Sequence, residues 1–76
     1  MEEKIIKILS GLRPEFDFTE KVNFIEEGML DSFDIVSLVN ELDNQFGVVI
    51  PGEEVLPENF SSVESMAKLI AKLASK

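Results

Sequence analysis

Catalysis in proteins most often uses Cys, His or converging carboxylates, and this chain of 76 residues offers few such groups. It has no Cys and no His, so it lacks a thiolate, a thiolate zinc site and an imidazole base. The acidic pairs Glu26-Glu27 and Glu53-Glu54 are neighbours in sequence and diverge on a helix. The acidic stretches at Asp17 and Asp31 lack the ligand order of a calcium loop. We therefore expect no catalytic and no metal-binding residues, and predict that the chain is not an enzyme.

Ser32 is the side chain whose setting favours chemistry. It follows Asp31 at the start of the clearest helical pattern, after a turn at Gly28, so its hydroxyl is expected at the positive end of a helix dipole. Backbone N–H groups and the dipole stabilise an anion such as a phosphate at such a position. Because no base accompanies it, Ser32 is predicted to be modified by another enzyme. The alternative interpretation is an ordinary serine at a helix cap.

Three stretches have the apolar spacing of amphipathic helices. They cover about residues 2–12, 31–47 and 63–73. Asp31 is the predicted N-cap of the second helix, and Ser61 with Glu64 is the predicted capping box of the third.

The connections between these helices are less regular. Residues 15–31 form a long apolar loop that we expect to be pinned to the core, with a turn of helix near residues 22–26. Residues 48–50 are predicted to form a buried extended connector. Residues 53–60 are predicted to form one short helix, interrupted or restarted around Pro57. The predicted fold class is all-α: a small four-helix bundle of three principal helices and one short helix, with a long first loop. It is expected to form one domain, residues 1–76.

Residues 27–39, with the sequence Glu-Gly-Met-Leu-Asp-Ser-Phe-Asp-Ile-Val-Ser-Leu-Val, resemble the Asp-Ser-Leu attachment motif of acyl carrier proteins. The resemblance extends over essentially the whole chain, and it implies an acyl-carrier-protein-like fold. It also implies that Ser32, with Asp31 beside it in the motif, receives a 4′-phosphopantetheine arm. The donor would be coenzyme A, and the enzyme a phosphopantetheinyl transferase that uses Mg²⁺. The terminal thiol of the arm would hold an acyl group as a thioester.

The cargo implied by the resemblance is an acyl intermediate of fatty-acid or polyketide-type biosynthesis. The alternative is a D-alanyl or other aminoacyl carrier, which the sequence resembles in two places. Phe33 stands where the motif most often has Leu, and the motif follows Gly-Met-Leu at residues 28–30. Residues 57–60 lengthen the connection before the last helix. An unmodified acidic docking protein is the remoter alternative.

Charge is distributed unevenly along the chain. Residues 22–67 carry ten acidic and no basic side chains, a local charge of −10 against −8 for the whole chain. We hypothesise a docking surface around Ser32 that steers enzymes bearing basic patches, with plain solubility as the alternative role of the acids. Phe33 is equally compatible with an inward orientation. The acidic members of the docking surface are Asp34, Glu41, Glu53 and Glu54, and its apolar members are Phe33 and Val36.

The remaining expectations concern partners and location. The expected partners are the transferase, enzymes that load acyl or aminoacyl groups, and acyltransferases. A chain this acidic is a poor ligand for nucleic acid, whose phosphates need cationic partners. No apolar run approaches the length of a membrane span, and no signal peptide is recognisable at Met1. We expect a soluble, cytoplasmic monomer.

Overall fold

The computed structural model describes residues 1–75, and within that range the chain is all-helical with no strand. Lys76, the last residue of the predicted domain, lies outside the described residues. No helix in residues 1–75 is both long enough and apolar enough to cross a membrane. The α-helices are α1 (Glu2–Leu12), α2 (Ser32–Phe46) and α3 (Val63–Ala74), and two 3-10 turns, Gly52–Glu54 and Pro57–Asn59, lie between α2 and α3.

One hydrophobic core joins the three helices. Helix α1 packs against both α2 and α3, and each helix buries apolar side chains spaced three or four residues apart, or adjacent. Three phenylalanines from the connections complete the core and are at most 1% exposed. The buried helical residues are Ile5 and Leu9 of α1, Leu38 and Leu42 of α2, and Met66, Leu69 and Ile70 of α3. The phenylalanines are Phe18, Phe24 and Phe60.

The long first loop is pinned to this core, which confirms the expectation from its apolar composition. Phe18 and Phe24 are buried and meet edge to face, with ring centroids 5.1 Å apart. Met29 and Leu30, at the end of the loop, are buried as well. The backbone N–H of Phe24 donates to the carbonyl oxygen of Ser61 at 2.8 Å. This bond ties the first loop to the connection that precedes α3.

A single helical turn lies within the first loop, two residues later than predicted, at residues 24–28. The Asn23 side chain starts the turn by accepting from the backbone N–H groups of Ile25 and Glu26, both at 3.0 Å. Gly28 ends it with a φ of +74°, a conformation that L side chains rarely adopt. The turn therefore fixes the direction in which the chain enters α2.

The second connection differs from its prediction in two places. The connector of residues 48–50 is not buried throughout, because Val49 is 80% exposed whereas Ile50 is 6% exposed. Successive side chains of an extended backbone point in opposite directions, so burial of Ile50 turns Val49 outward. The predicted short helix takes the form of two 3-10 turns separated by Val55 and Leu56, and the second turn begins at Pro57, where an interruption was expected. The structure therefore has three α-helices in its described residues, and the fourth helix of the predicted bundle is reduced to these turns.

The cap of α3 also differs from the prediction. Ser62, not Ser61, is the N-cap, and its Oγ accepts from the backbone N–H of Ser65 at 3.1 Å. Ser61 is engaged elsewhere: its hydroxyl donates to the Glu58 carbonyl oxygen at 3.1 Å, and its own carbonyl oxygen accepts from Phe24. The predicted pair of Ser61 and Glu64 is therefore one residue too early.

Candidate functional site

Two aspartates form a reciprocal cap at the start of α2. Asp31 Oδ1 accepts from the backbone N–H of Asp34 at 3.0 Å, and Asp34 Oδ2 accepts from the backbone N–H of Asp31 at 3.1 Å. This is a capping box with an aspartate in both positions. It confirms Asp31 as the predicted N-cap. It also satisfies two of the donors at this end of the helix, which fixes the backbone on both sides of Ser32.

Ser32 is the first residue of α2 and is exposed. The cap is made by the carboxylates and backbone groups of Asp31 and Asp34, and the Ser32 hydroxyl is not part of it. A helix start favours an attached anion because the dipole is positive there. Ser32 therefore combines a fixed backbone with an accessible hydroxyl, which is what modification by a second protein requires.

Arg13 reaches this cap from the end of α1. Its Nε donates to Asp34 Oδ2 at 2.8 Å, and its terminal nitrogens contact Asp31 Oδ2 at 3.2 Å and Glu15 Oε2 at 3.4 Å. The Asp34 side chain is 13% exposed and that of Arg13 is 34% exposed, so this pair is more shielded than a typical surface ion pair. The hydrogen bond and the charge of Asp34 raise the pKa of the Arg13 guanidinium above its ordinary value.

The same contacts act on Asp31. The backbone N–H of Asp34 lowers the pKa of the Asp31 carboxyl below its ordinary value, and the nearby charge of Arg13 lowers it further. Asp31 is thus held in its charged form next to Ser32. Sequence reasoning missed this role of Arg13, because its partners Asp34 and Asp31 lie 21 and 18 residues away along the chain.

Two apolar side chains project from α2 close to Ser32. Phe33 is 84% exposed and Val36 is 62% exposed, so the structure gives Phe33 the outward of its two possible orientations. They are three residues apart and therefore neighbours on the helix surface. Exposed apolar side chains that cluster on a surface are typical of a protein contact.

A mainly apolar groove of about 410 Å³ borders Ser32. The first loop contributes Ile25 and Leu30 to the groove, α2 contributes Ile35, and the second connection contributes Val55 and Leu56. A mainly apolar groove favours the uncharged atoms of a group attached near Ser32 over charged ones.

The four acids of the predicted docking surface differ in their availability. Asp34 belongs to the cap, and the carboxylate of Glu54 pairs with Lys72 and accepts from Asn59 Nδ2 at 3.4 Å. Glu41 and Glu53 are exposed. Glu41 lies nine residues after Ser32, which places it roughly on the opposite side of α2. There it lines a groove with residues of α1, including two lysines. The four acids therefore do not form one continuous acidic face around Ser32.

Comparison with known proteins identifies the class of protein that shares these features. The family described as phosphopantetheine attachment site matches residues 3–70. Aminoacyl carrier protein 1 of Bradyrhizobium diazoefficiens is 31% identical over 74 residues, which cover 92% of this chain and 81% of that protein. D-alanyl carrier protein 2 of Lactiplantibacillus plantarum is 43% identical over 73 residues, which cover 93% of this chain and 86% of that protein. D-alanyl carrier protein 1 of the same species is 36% identical over 70 residues, which cover 91% of this chain and 84% of that protein.

The lowered pKa of Asp31 predicts a pH-dependent contribution to stability. Asp31→Asn keeps an oxygen acceptor at the cap and removes the charge. A carboxyl whose folded-state pKa is depressed stabilises the fold above its unfolded-state pKa, and this contribution is lost as the pH falls through the folded-state pKa. We expect Asp31→Asn to lower the Tm at neutral pH, with a difference from the unsubstituted protein that shrinks in acid.

Thermal unfolding followed by circular dichroism between neutral and acid pH measures this difference. Ser37→Ala is the matched control, since it alters an exposed uncharged side chain of α2 and its effect should not change with pH. A Tm difference for Asp31→Asn that stays constant over the same range would contradict the assignment.

Proposed function

The chain belongs to the phosphopantetheine attachment-site family of carrier proteins, and we propose from this that Ser32 is the residue that bears the 4′-phosphopantetheine arm. Members of this family hold the arm covalently, and this chain is a carrier of that kind. The observation that carries the proposal is the exposed Ser32, placed directly after Asp31 at the capped start of α2. The residues around it fit the group: the hydroxyl is accessible, the helix start favours a phosphate, and an apolar groove lies alongside.

The chemistry divides between the chain and its partners. The arm supplies a thiol that holds the cargo as a thioester, and the chain itself contains no Cys. In the attachment step, Ser32 Oγ forms a phosphodiester bond while the pyrophosphate bond of coenzyme A breaks and the nucleotide leaves. The hydroxyl proton passes to a base of the transferase. The chain is proposed to position the arm and not to catalyse a reaction.

The proposed cargo is an aminoacyl group, with D-alanine as the first candidate, and not a fatty acyl chain. The named relatives are aminoacyl and D-alanyl carriers, which favours this alternative over the fatty-acid interpretation of the motif. Packing gives a second argument. A long acyl chain sequestered in the bundle would have to displace core side chains such as Leu42, Phe46, Ile50 and Ile70. Leu42, Ile50 and Ile70 are at most 6% exposed, and Phe46 packs against the same core. A short aminoacyl group needs no such displacement.

The docking surface is proposed to have an apolar centre. Phe33 and Val36 are exposed on α2, whereas Asp34 and Glu54 are engaged in ion pairs within the chain. Glu41 and Glu53 remain exposed, and they can attract the transferase and the loading enzymes at long range, Glu41 from the opposite side of α2. The expected counterpart on these enzymes is an apolar socket with basic residues around it. Residues 1–76 are proposed to act as a single carrier domain, monomeric and cytoplasmic. The family match over residues 3–70 and the one hydrophobic core support a single domain.

Attachment at Ser32 predicts a defined mass change. After incubation with coenzyme A, Mg²⁺ and a broad-specificity phosphopantetheinyl transferase, intact-mass measurement should show one phosphopantetheinyl adduct on the protein and none on Ser32→Ala. Ser37→Ala, altered on the same helix, should be modified like the unsubstituted protein. No adduct on the unsubstituted protein, or one that persists on Ser32→Ala, would refute the attachment site.

Loading assays on the pantetheinylated protein then identify the class of cargo. Incubation with ATP and an enzyme that activates D-alanine or other amino acids should give an aminoacyl thioester that hydroxylamine releases. Fatty-acyl and malonyl loading enzymes should give little product. Efficient loading by the fatty-acyl or malonyl enzymes alone would overturn the aminoacyl proposal in favour of a fatty-acid or polyketide carrier.

An apolar docking centre predicts that Phe33 matters more than the exposed acids. Phe33→Ala should raise the KM of the transferase or of a loading enzyme by about tenfold, since a central aromatic contact contributes roughly 1–2 kcal/mol or more. Glu41→Lys and Glu53→Lys should have smaller effects that disappear as salt screens the charges. The measurement is KM against ionic strength. Large, salt-dependent effects of the charge reversals, with Phe33→Ala silent, would favour electrostatic steering as the main source of recognition.

A further inference from the structure

The Arg13 guanidinium joins the end of α1 to the start of α2. Its three nitrogens contact three different carboxylates, those of Asp34, Asp31 and Glu15, at 2.8, 3.2 and 3.4 Å. Within residues 1–75 it is the only cationic side chain that pairs with these acids. We propose that Arg13 is a positioning residue for Ser32, which aligns the start of α2 and supplies the positive charge that lets this helix start bear a phosphodiester. This inference rests on the proposed attachment at Ser32.

The charge at the start of α2 is the first argument. Modification of Ser32 adds a phosphodiester anion to a helix start that already holds the carboxylates of Asp31 and Asp34. The helix dipole favours anions there, but two of the backbone N–H groups are already bonded to these carboxylates. A nearby positive charge reduces the repulsion between these neighbouring negative charges. Arg13 is the side chain placed to provide it.

The anchoring of Arg13 is the second argument. Arg13 is the C-cap of α1, and its backbone N–H donates to the carbonyl oxygen of Leu9 at 2.9 Å. Pro14 follows and disfavours a helical backbone at Arg13, and the φ of −136° and ψ of 78° at Arg13 lie outside the helical region. The base of the side chain is therefore fixed to α1 while its tip holds both ends of the aspartate cap. Displacement of Arg13 would loosen the segment that presents Ser32.

The geometry of the guanidinium is the third argument. One nitrogen bonds to Asp34 and another to Asp31, so the group spans the two members of the capping box. A lysine ammonium carries the same charge on a single atom and lacks the rigid fork of donors. Arg13→Lys therefore keeps the charge and loses the bridge, which separates the two parts of the proposed role.

The test compares Arg13→Gln, Arg13→Lys and a control, Lys7→Gln, which removes a charge from an exposed position of the same helix. Each variant is treated with coenzyme A and a broad-specificity phosphopantetheinyl transferase, and the rate of adduct formation is followed by intact mass. We expect Arg13→Gln to lower kcat by about fivefold or more, because small misplacements of a reacting group are costly. Lys7→Gln should stay close to the unsubstituted protein, and Arg13→Lys should remain slow.

Thermal unfolding of each protein before and after modification provides the second measurement. Arg13→Gln should lose more Tm in the pantetheinylated form than in the unmodified form, by about 4 °C. Arg13→Lys should recover most of this difference because it retains the charge.

The proposal is overturned if Arg13→Gln reacts like Lys7→Gln and loses the same Tm in both forms. It is also overturned if the loss is confined to KM, which would mean that Arg13 contacts the transferase. Should Arg13→Gln fail to fold, Arg13→Lys is compared with Lys7→Arg, and equal rates overturn the proposal. Absence of an adduct on the unsubstituted protein is a different result, since it refutes attachment at Ser32 itself.

Discussion

The paired bonds between Asp31 and Asp34 are the interaction on which the site depends. A chain of this size has a small core and no disulfide to hold a reactive position still. The capping box fixes the backbone on either side of Ser32, and the Ser32 hydroxyl takes no part in it. Arg13 extends the cap to a second helix, and the turn that ends at Gly28 sets the approach of the chain. The backbone at an exposed residue is thereby held by hydrogen bonds on both of its sides.

Negative charge has two separate roles in this molecule. The local charge of −10 over residues 22–67 describes a sequence segment, whereas the structure separates its members by what they contact. Asp31, Asp34 and Glu54 bond to groups of the chain itself, and Asp43 accepts from the backbone N–H of Ile50 at 3.1 Å. Only some of the acidic side chains are then available to contact other proteins. The outward face of α2 near Ser32 is correspondingly more apolar than its composition indicates.

The sequence predicts the features that depend on nearby residues. Apolar spacing and end signals place the helices close to their observed bounds, and Asp31 is recognisable as a cap because a cap acts within three residues. The errors concern contacts between distant segments. Nothing in the pattern indicates that Arg13 meets Asp34, that a bond to Phe24 occupies Ser61, or that Phe33 points outward. Each of these depends on how the helices pack, which a local pattern does not contain.

The hydrogen bond from Phe24 to Ser61 has a mechanical consequence for the groove beside Ser32. One wall of this groove belongs to the first loop and the other to the connection between α2 and α3. Because this bond links those two segments directly, neither wall can shift far without drawing the other with it. Widening of the groove is therefore a concerted movement that extends to the first turn of α3.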